Sequence, residues 1–423
     1  MAVKVAVVGG GSTYTPELIE GLTAREDRLP IEEIVLLDID EERLDIVGDL
    51  AERMVRRAGW SGRLGRTNRR ADALDGADFV VVQLRVGGNQ ARLLDETIPL
   101  GHGCIGQETT GAGGFAKALR TVPVVLELAE ETARRGAPGA WFVDFTNPTG
   151  LVTQALLDRG HRAIGLCNVA IGFQRRFAER FGVEPYRVQL EHVGLNHLSW
   201  ERAVLVDGVD RLPELLDGSI DAVAEDLDMP AELIRNVGAI PSSYLRYYYL
   251  TDRVLAHERE SRTRAEDVIE IESELLELYR DPSLDRKPAQ LERRGGAYYS
   301  EAAAALIASL HAATGDVQVV NVRNGGAIPN LPDDDVVEVA ARIDADGADP
   351  LPVAPLSSDM LGLVEHVKAY ERLTIEASIT GDRAAALRAL IANPLVGDYD
   401  RAAPLLQELL SANREHLPRF FPA

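Results

Sequence analysis

The opening segment, VKVAVVGGGSTYTPELIEGL, constrains the chain more than any other. An unbroken apolar run that ends on Gly9, Gly10 and Gly11 reads as a buried strand handing over to a helix at 15–25. Glycines at that junction let a ligand approach the backbone closely and leave N–H groups free at a helix N-terminus, where the pyrophosphate of a dinucleotide binds. Ser12 and Thr13 add hydroxyl donors. The G-x-G-x-x-G pattern is incomplete, since Tyr14 stands at the third glycine position. Asp38 closes the second strand, EEIVLLDID, where a carboxylate accepts from both ribose hydroxyls and disfavours a 2′-phosphate, so NAD is expected rather than NADP. The alternative is an α/β domain that merely turns tightly after its first strand.

Beyond this loop, short β-branched runs alternate with amphipathic stretches. A helix is expected over 41–57, a strand in ADFVVVQL, a helix over 120–134 closed by Gly136, and a strand in AWFVDFTNP stopped by Asn147 and Pro148. Such alternation means parallel strands joined by helical crossovers. Residues 1–166 are therefore expected to form an N-terminal Rossmann-like, doubly wound parallel sheet that binds NAD. From residue 167 the texture changes to longer helices, at 222–227, 241–255, 264–279, 301–311 and 383–411. An extended pair, 188–195 and 200–206, carries His197 in its connection. Residues 167–423 read as a C-terminal mixed α/β (α+β) domain for substrate and metal, sharing an extensive interface with the first.

Composition narrows the partners. A formal charge of −22 on 423 residues argues against nucleic acid and anionic membranes, both of which a carboxylate-rich surface repels. Apolar runs such as 79–82 and 317–320 fall far short of the roughly 18 residues that span a bilayer. Two cysteines, Cys104 and Cys167, and a start without a charged leader make the cytoplasm the expected compartment. The acidity poses one problem: any anionic ligand needs a pocket of the opposite sign.

Cys167 follows the apolar run RAIGLC, and His197 lies in GLNHLSW, both at strand ends where open α/β folds hold ligands. Thiolate with imidazole suits a borderline divalent ion, with open positions left for water or substrate. On spacing alone, the plainer reading is preferred: a small buried hydrophobe and a satisfied core histidine. Tyr244, Tyr247 and Tyr248 share one helical face that ordinarily means core packing. Arg92 and Arg264 are candidates for an anionic or hydroxylated ligand, although single arginines are mostly solvated.

Taken together, VAVVGGGSTYTPELIEGL, VVVQLRVGG, IGQETTGAGGFAKALRT, DFTNPTG, GLCNVAIG, GLNHLSW, PSSYLRYYY and NVRNGGAIPNLPDDDVVEV resemble glycoside hydrolase family 4, the NAD- and divalent-metal-dependent glycosidases, and within it the 6-phospho-β-glucosidases. That family stands apart from the two-carboxylate hydrolysis of most glycosidases. The resemblance implies that Cys167 and His197 bind a metal, usually Mn²⁺, and so overrides the plainer reading. It implies Tyr244 as catalytic base, Glu108 as the carboxylate that raises its basicity, and Arg92, Asn147 and Arg264 as substrate-binding residues. Asn168 matches the β-specific pattern C-N-V-P, where α-specific members have C-D-M-P; here Ala170 replaces the proline.

The implied reaction oxidises sugar carbon 3 with NAD⁺, removes the acidified proton on carbon 2, expels the aglycone from carbon 1, adds water and reverses the oxidation. Net chemistry is retaining hydrolysis of a phosphorylated disaccharide or aryl glucoside by a homodimer or homotetramer. Three alternatives stay open: a family member acting on α-linked or non-phosphorylated substrates, an NAD-dependent 2-hydroxy acid dehydrogenase, and an NAD-binding sensor.

Overall fold

The computed structural model describes residues 3–25, 28–296 and 298–422. Six parallel strands form its centre: β1 (Val3–Val8), β2 (Ile31–Leu37), β3 (Arg63–Thr67), β4 (Phe79–Val82), β5 (Trp141–Asp144) and β6 (Ala163–Gly165). Their spatial order is β3-β2-β1-β4-β5-β6, so the chain reverses direction across the sheet between β1 and β4. That is the switch point at which open α/β sheets bind ligands. The strands are apolar without alternation because both faces are covered: Val5 and Val7 enter one hydrophobic cluster, Ala6 and Val8 the other.

Local signals set the crossovers. Pro16 opens the helix Thr15–Thr23. Asp40 caps Glu41–Ala58 by accepting from the Arg43 amide at 3.0 Å, and Gly59 closes it at φ 72°. The helix expected from residue 120 starts instead at Gly111 and runs to Arg135. Its first turn is glycine-rich because it lies against backbone: a Cβ on Gly113 would overlap the Gln107 and Asp95 carbonyl oxygens. Glycine's poor helix propensity hid that turn.

Beyond residue 166 the chain builds a second, four-stranded sheet from β7 (Val188–Leu195), β8 (Leu198–Val206), β9 (Val209–Asp210) and β10 (Ile240–Pro241). It then returns to the first sheet. β11 (Asp316–Arg323) pairs antiparallel with β6, and β12 (Val336–Asp344) and β13 (Gly347–Pro350) follow, giving nine strands. The change of texture at 166 is thus a change of connectivity and not an end of the sheet. One hydrophobic cluster runs from Val5 through Trp200 of β8 to Leu405.

Two expected helices are broken. Over 241–255 there is β10, a 3-10 turn Ser243–Leu245, then Arg246–Tyr249 and Thr251–Glu260. The break follows from pairing: the Ser242 amide donates to Ser199 of β8 at 2.8 Å and cannot enter a helix. Over 383–411 the helices Arg383–Ala392 and Tyr399–Ala412 are separated where Asn393 accepts from the Leu395 amide and Asp398 caps the second. The helix Ser358–Thr380 and strands β11 to β13 had no counterpart among the expectations. Among the described residues, no helix is long and apolar enough to cross a membrane.

Candidate active site

At the switch point the glycine loop is held from below. The Gly9 and Gly10 amides both donate to Leu37 at 2.9 Å, and Gly11 donates to Asp38 Oδ2 at 2.8 Å. Gly9 takes φ 86°, and a Cβ there would lie 2.9 Å from the Gln83 carbonyl oxygen. A cavity of about 790 Å³ opens above, within the range of small-molecule sites. Gly9, Gly11, Ser12, Asp38 and the almost bare Ile39 line one part. Lys117, Asn147 and Tyr299 line another. Thr13 is buried and does not line it: its hydroxyl donates to Glu272, which does, at 3.2 Å, and its carbonyl accepts from Tyr279.

The second cluster adjoins this cavity through Tyr299, which lines the cavity and whose hydroxyl and the Cys167 thiol act on each other's ionisation. Cys167 lies just past the end of β6, and Asn168 stands at the N-cap of the following helix, Val169–Phe181. His197 occupies the two-residue turn between β7 and β8 at φ 125°, a conformation costly for a residue with a side chain. Because β10 pairs with β8, the 3-10 turn after it sets Tyr244 over His197. Their rings stack at 3.8 Å, 8° from parallel.

Burial dominates the titration of this cluster. It drives the Cys167 thiol well up and the Tyr244 hydroxyl up, with Cys167 adding to the latter, and it pushes His197 down to about 4, leaving a neutral imidazole. Glu108 and Arg92 also act on Tyr244 electrostatically. Burial opposes ionisation of Glu108, but Arg85, Lys117 and Arg92 hold its carboxyl well below the usual range. Lys117 donates to it at 2.8 Å, Arg92 lies at 3.3 Å, and Arg85 pairs with it as well. Arg92 in turn donates to Glu96 at 2.7 Å.

The structure thus brings Cys167, His197, Tyr244, Glu108 and Arg92 together beside the cavity that Asn147 lines. Arg264 is set apart: exposed, it donates to the Arg293 and Arg294 carbonyls at 2.8 and 3.2 Å and does not line the cavity. Sequence reasoning passed over Arg85, Lys117, Arg294, Tyr299 and Glu272. The signal for Lys117 was present, a lone cation inside the apolar run GGFAKAL. Arg43, Arg85, Lys117 and Arg294 all line the cavity, which is how a chain of net charge −22 presents cations to a ligand.

A glycine loop at the switch point, with a carboxylate closing the adjacent strand, defines the dinucleotide-binding class of doubly wound α/β proteins. Comparison narrows the class. Residues 4–183 match the family 4 glycosyl hydrolases, and residues 192–396 match the family 4 glycosyl hydrolase C-terminal domain. The chain belongs to glycosyl hydrolase family 4 and is a glycosidase. It is 44% identical to the probable 6-phospho-beta-glucosidase of Bacillus subtilis (strain 168), over 99% of this chain and 98% of the relative. With the 6-phospho-beta-glucosidase of Escherichia coli (strain K12) it shares 39% identity over 99% of this chain and 96% of the relative. The solved 6-phospho-beta glucosidase of Thermotoga maritima with manganese, NAD⁺ and glucose-6-phosphate superposes with a TM-score of 0.93 at 39% identity, covering 98% of this chain and 99% of that one. Family membership removes the dehydrogenase and sensor alternatives.

Proposed function

We propose that the protein hydrolyses 6-phospho-β-glucosides with retention, using NAD⁺ and a divalent metal such as Mn²⁺. The observation that carries this reading is the stacked His197–Tyr244 pair, next to Cys167 and opening by way of Tyr299 onto the glycine-loop cavity. The names of the full-length relatives and Asn168 after Cys167 support the phosphorylated, β-linked substrate.

The residues fit both groups. For NAD⁺ there is a loop too tight for any Cβ, a helix N-terminus beyond it, and Asp38, whose oxygens retain lone pairs for ribose hydroxyls after accepting from Gly11 and Asp40. For the metal there are the Cys167 thiol and a neutral His197 imidazole, a pair that a borderline divalent ion would complete with water or substrate oxygens. When bound, NAD⁺ supplies a hydride acceptor and the cation supplies Lewis acidity.

The chain's own groups perform the rest. Tyr244, stacked on His197, is the base for the carbon 2 proton, a role in which a bound cation beside it would offset the burial that otherwise keeps its hydroxyl protonated. Glu108 stays ionised between its three cations and keeps a negative charge within reach of Tyr244. Arg92, Asn147 and Asn168 orient the sugar, and Arg264, bonded to the Arg293 and Arg294 carbonyls outside the cavity, is left out of that set. Arg85, Lys117 and Arg294 supply the positive field a phosphate requires. The same reading has the enzyme act in the cytoplasm, where the free thiols of Cys104 and Cys167 persist, and as a homodimer or homotetramer, which light scattering would establish.

The test is a matrix of α- and β-linked aryl glucosides, with and without 6-phosphate, NAD⁺ and Mn²⁺. Cleavage is expected for the phosphorylated β-glucoside when both additions are present, to be lost on chelation, and to place solvent deuterium at carbon 2 of the product. Full activity in chelator, or product without deuterium, contradicts the reading.

A further inference from the structure

Beneath the His197 turn lies a charged cluster for which the reaction described above has no use. His192 of β7 faces Glu201 across the β7–β8 ladder, and Glu338 reaches them from β12 of the large sheet. All three are at most 1% exposed. His192 Nδ1 lies 2.7 Å from Glu201 Oε1 and its Nε2 lies 2.9 Å from Glu338 Oε1. A carboxylate on each ring nitrogen requires both to carry protons. Burial works against that charge, yet Glu201 and Glu338 push His192 up to about 10. One cation between two carboxylates leaves a net negative charge in the interior, an arrangement that apolar residues of similar volume replace at little cost to stability.

Its other contacts indicate a use. Glu338 Oε2 accepts from Asn196 Nδ2 at 3.0 Å and from Asn321 Nδ2 at 2.9 Å. Asn196 immediately precedes His197, and its Oδ1 accepts from the Gly150 amide at 3.3 Å, tying the turn to the helix after Asn147 and Pro148. His197 holds a backbone conformation that the surroundings must impose, and Asn196 is the adjoining residue whose side chain is anchored at both ends. The charge of Glu338 is felt at both Cys167 and His197.

We propose that Glu338 is a positioning residue for the divalent-metal site: through Asn196 it holds the His197 turn, and with His192 and Glu201 it supplies buried negative charge that offsets the bound cation. This rests on the reading of Cys167 and His197 as the metal pair. Groups that orient a metal-binding histidine typically alter metal affinity 10- to 100-fold.

The experiment measures Mn²⁺ binding to the full-length protein, without sugar, from the electron paramagnetic resonance signal of free Mn²⁺, alongside NAD⁺ affinity and melting temperature. Glu338→Gln, which keeps size and one acceptor, is expected to weaken Mn²⁺ binding about 10- to 100-fold, to leave NAD⁺ affinity unchanged, and to recover turnover in excess Mn²⁺. Asn196→Ala, which spares the charged cluster, is expected to weaken Mn²⁺ binding in the same direction and serves if the first variant does not fold. Cys167→Ser separates the two readings. If it loses Mn²⁺ while Glu338→Gln and Asn196→Ala bind as wild type, the proposal is overturned and the metal pair stands. If Cys167→Ser binds Mn²⁺ as wild type, the metal assignment fails and the proposal with it.

Discussion

Replacing Gly9 by alanine tests whether the glycine loop is a cofactor cradle or only a tight turn. At φ 86° an L-residue bears left-handed strain of about 1–2 kcal/mol. The added Cβ would sit 2.9 Å from the Gln83 oxygen, 3.0 Å from its carbonyl carbon and 3.1 Å from Leu84 Cα, all backbone atoms, where ordinary contact begins near about 3.5 Å. Relieving such overlap costs about 1–3 kcal/mol. The sum, about 2–5 kcal/mol, is below the stability of a typical domain, so the variant folds. Melting is a poor readout: at roughly 2.1 cal/mol/K per residue, unfolding 423 residues cooperatively shifts Tm by only about 1 °C per kcal/mol. Cofactor binding is sharper. Strain at φ is present with and without ligand, but the overlap relaxes by parting β1 from β4, and binding must reverse that movement. NAD⁺ affinity should therefore fall about 5- to 150-fold, the equivalent of 1–3 kcal/mol. Isothermal titration measures it, with Gly362→Ala as control, since that exposed helical glycine has open space at its Cβ and should gain about 0.5–1 kcal/mol. An NAD⁺ affinity for Gly9→Ala within twofold of wild type would refute the reasoning.

Three further outcomes are expected. Tyr244→Phe should lower kcat by about 10²- to 10⁴-fold and leave NAD⁺ binding intact; unchanged turnover removes Tyr244 as the base. Arg120 pairs with fully buried Asp95 at 2.8 and 2.7 Å and donates to Asn413, so Arg120→Met should cost about 3–5 kcal/mol in urea unfolding, and adding Asp95→Leu should restore most of it. A second substitution without recovery means the loss comes from packing. Raising ionic strength should increase KM for a phosphorylated glucoside more than for its unphosphorylated analogue, because the arginines and Lys117 act on the phosphate; equal slopes contradict that.

What could be read in advance divides by the range of the signal. β1, β2, β7 and β8 were legible because each carries its own apolar pattern, as was the helix Arg264–Tyr279, whose start the structure fixes with a Thr263–Glu266 capping box. β11 to β13 were not, since β11 is exposed at its start, β12 mixes Glu338 and Arg342 into its apolar run, and only the fold pairs Asn321 with Gly165. The site divides likewise. Gly9 to Gly11 point to a ligand once Asp38 closes the neighbouring strand, whereas spacing alone left Cys167 and His197 as a buried hydrophobe and a core histidine, and only the resemblance paired them on a metal. The bond from His192 to Glu338 spans 146 positions and leaves no local trace. Nor does composition foretell the three cations gathered on Glu108.

The late return of the chain to its first sheet bears on how the protein is made. β6 lies between β5 and β11, and β11 begins only at Asp316. While the ribosome works from residue 165 to residue 316, a period of roughly eight to thirty seconds at about 5–20 residues per second, the nascent N-terminal part carries one strand margin without its neighbour. That margin is three residues long, AIG, too short to template much unwanted pairing. Brevity of β6 thus limits unwanted pairing of the growing chain during synthesis, while its end still sets Cys167 at the site.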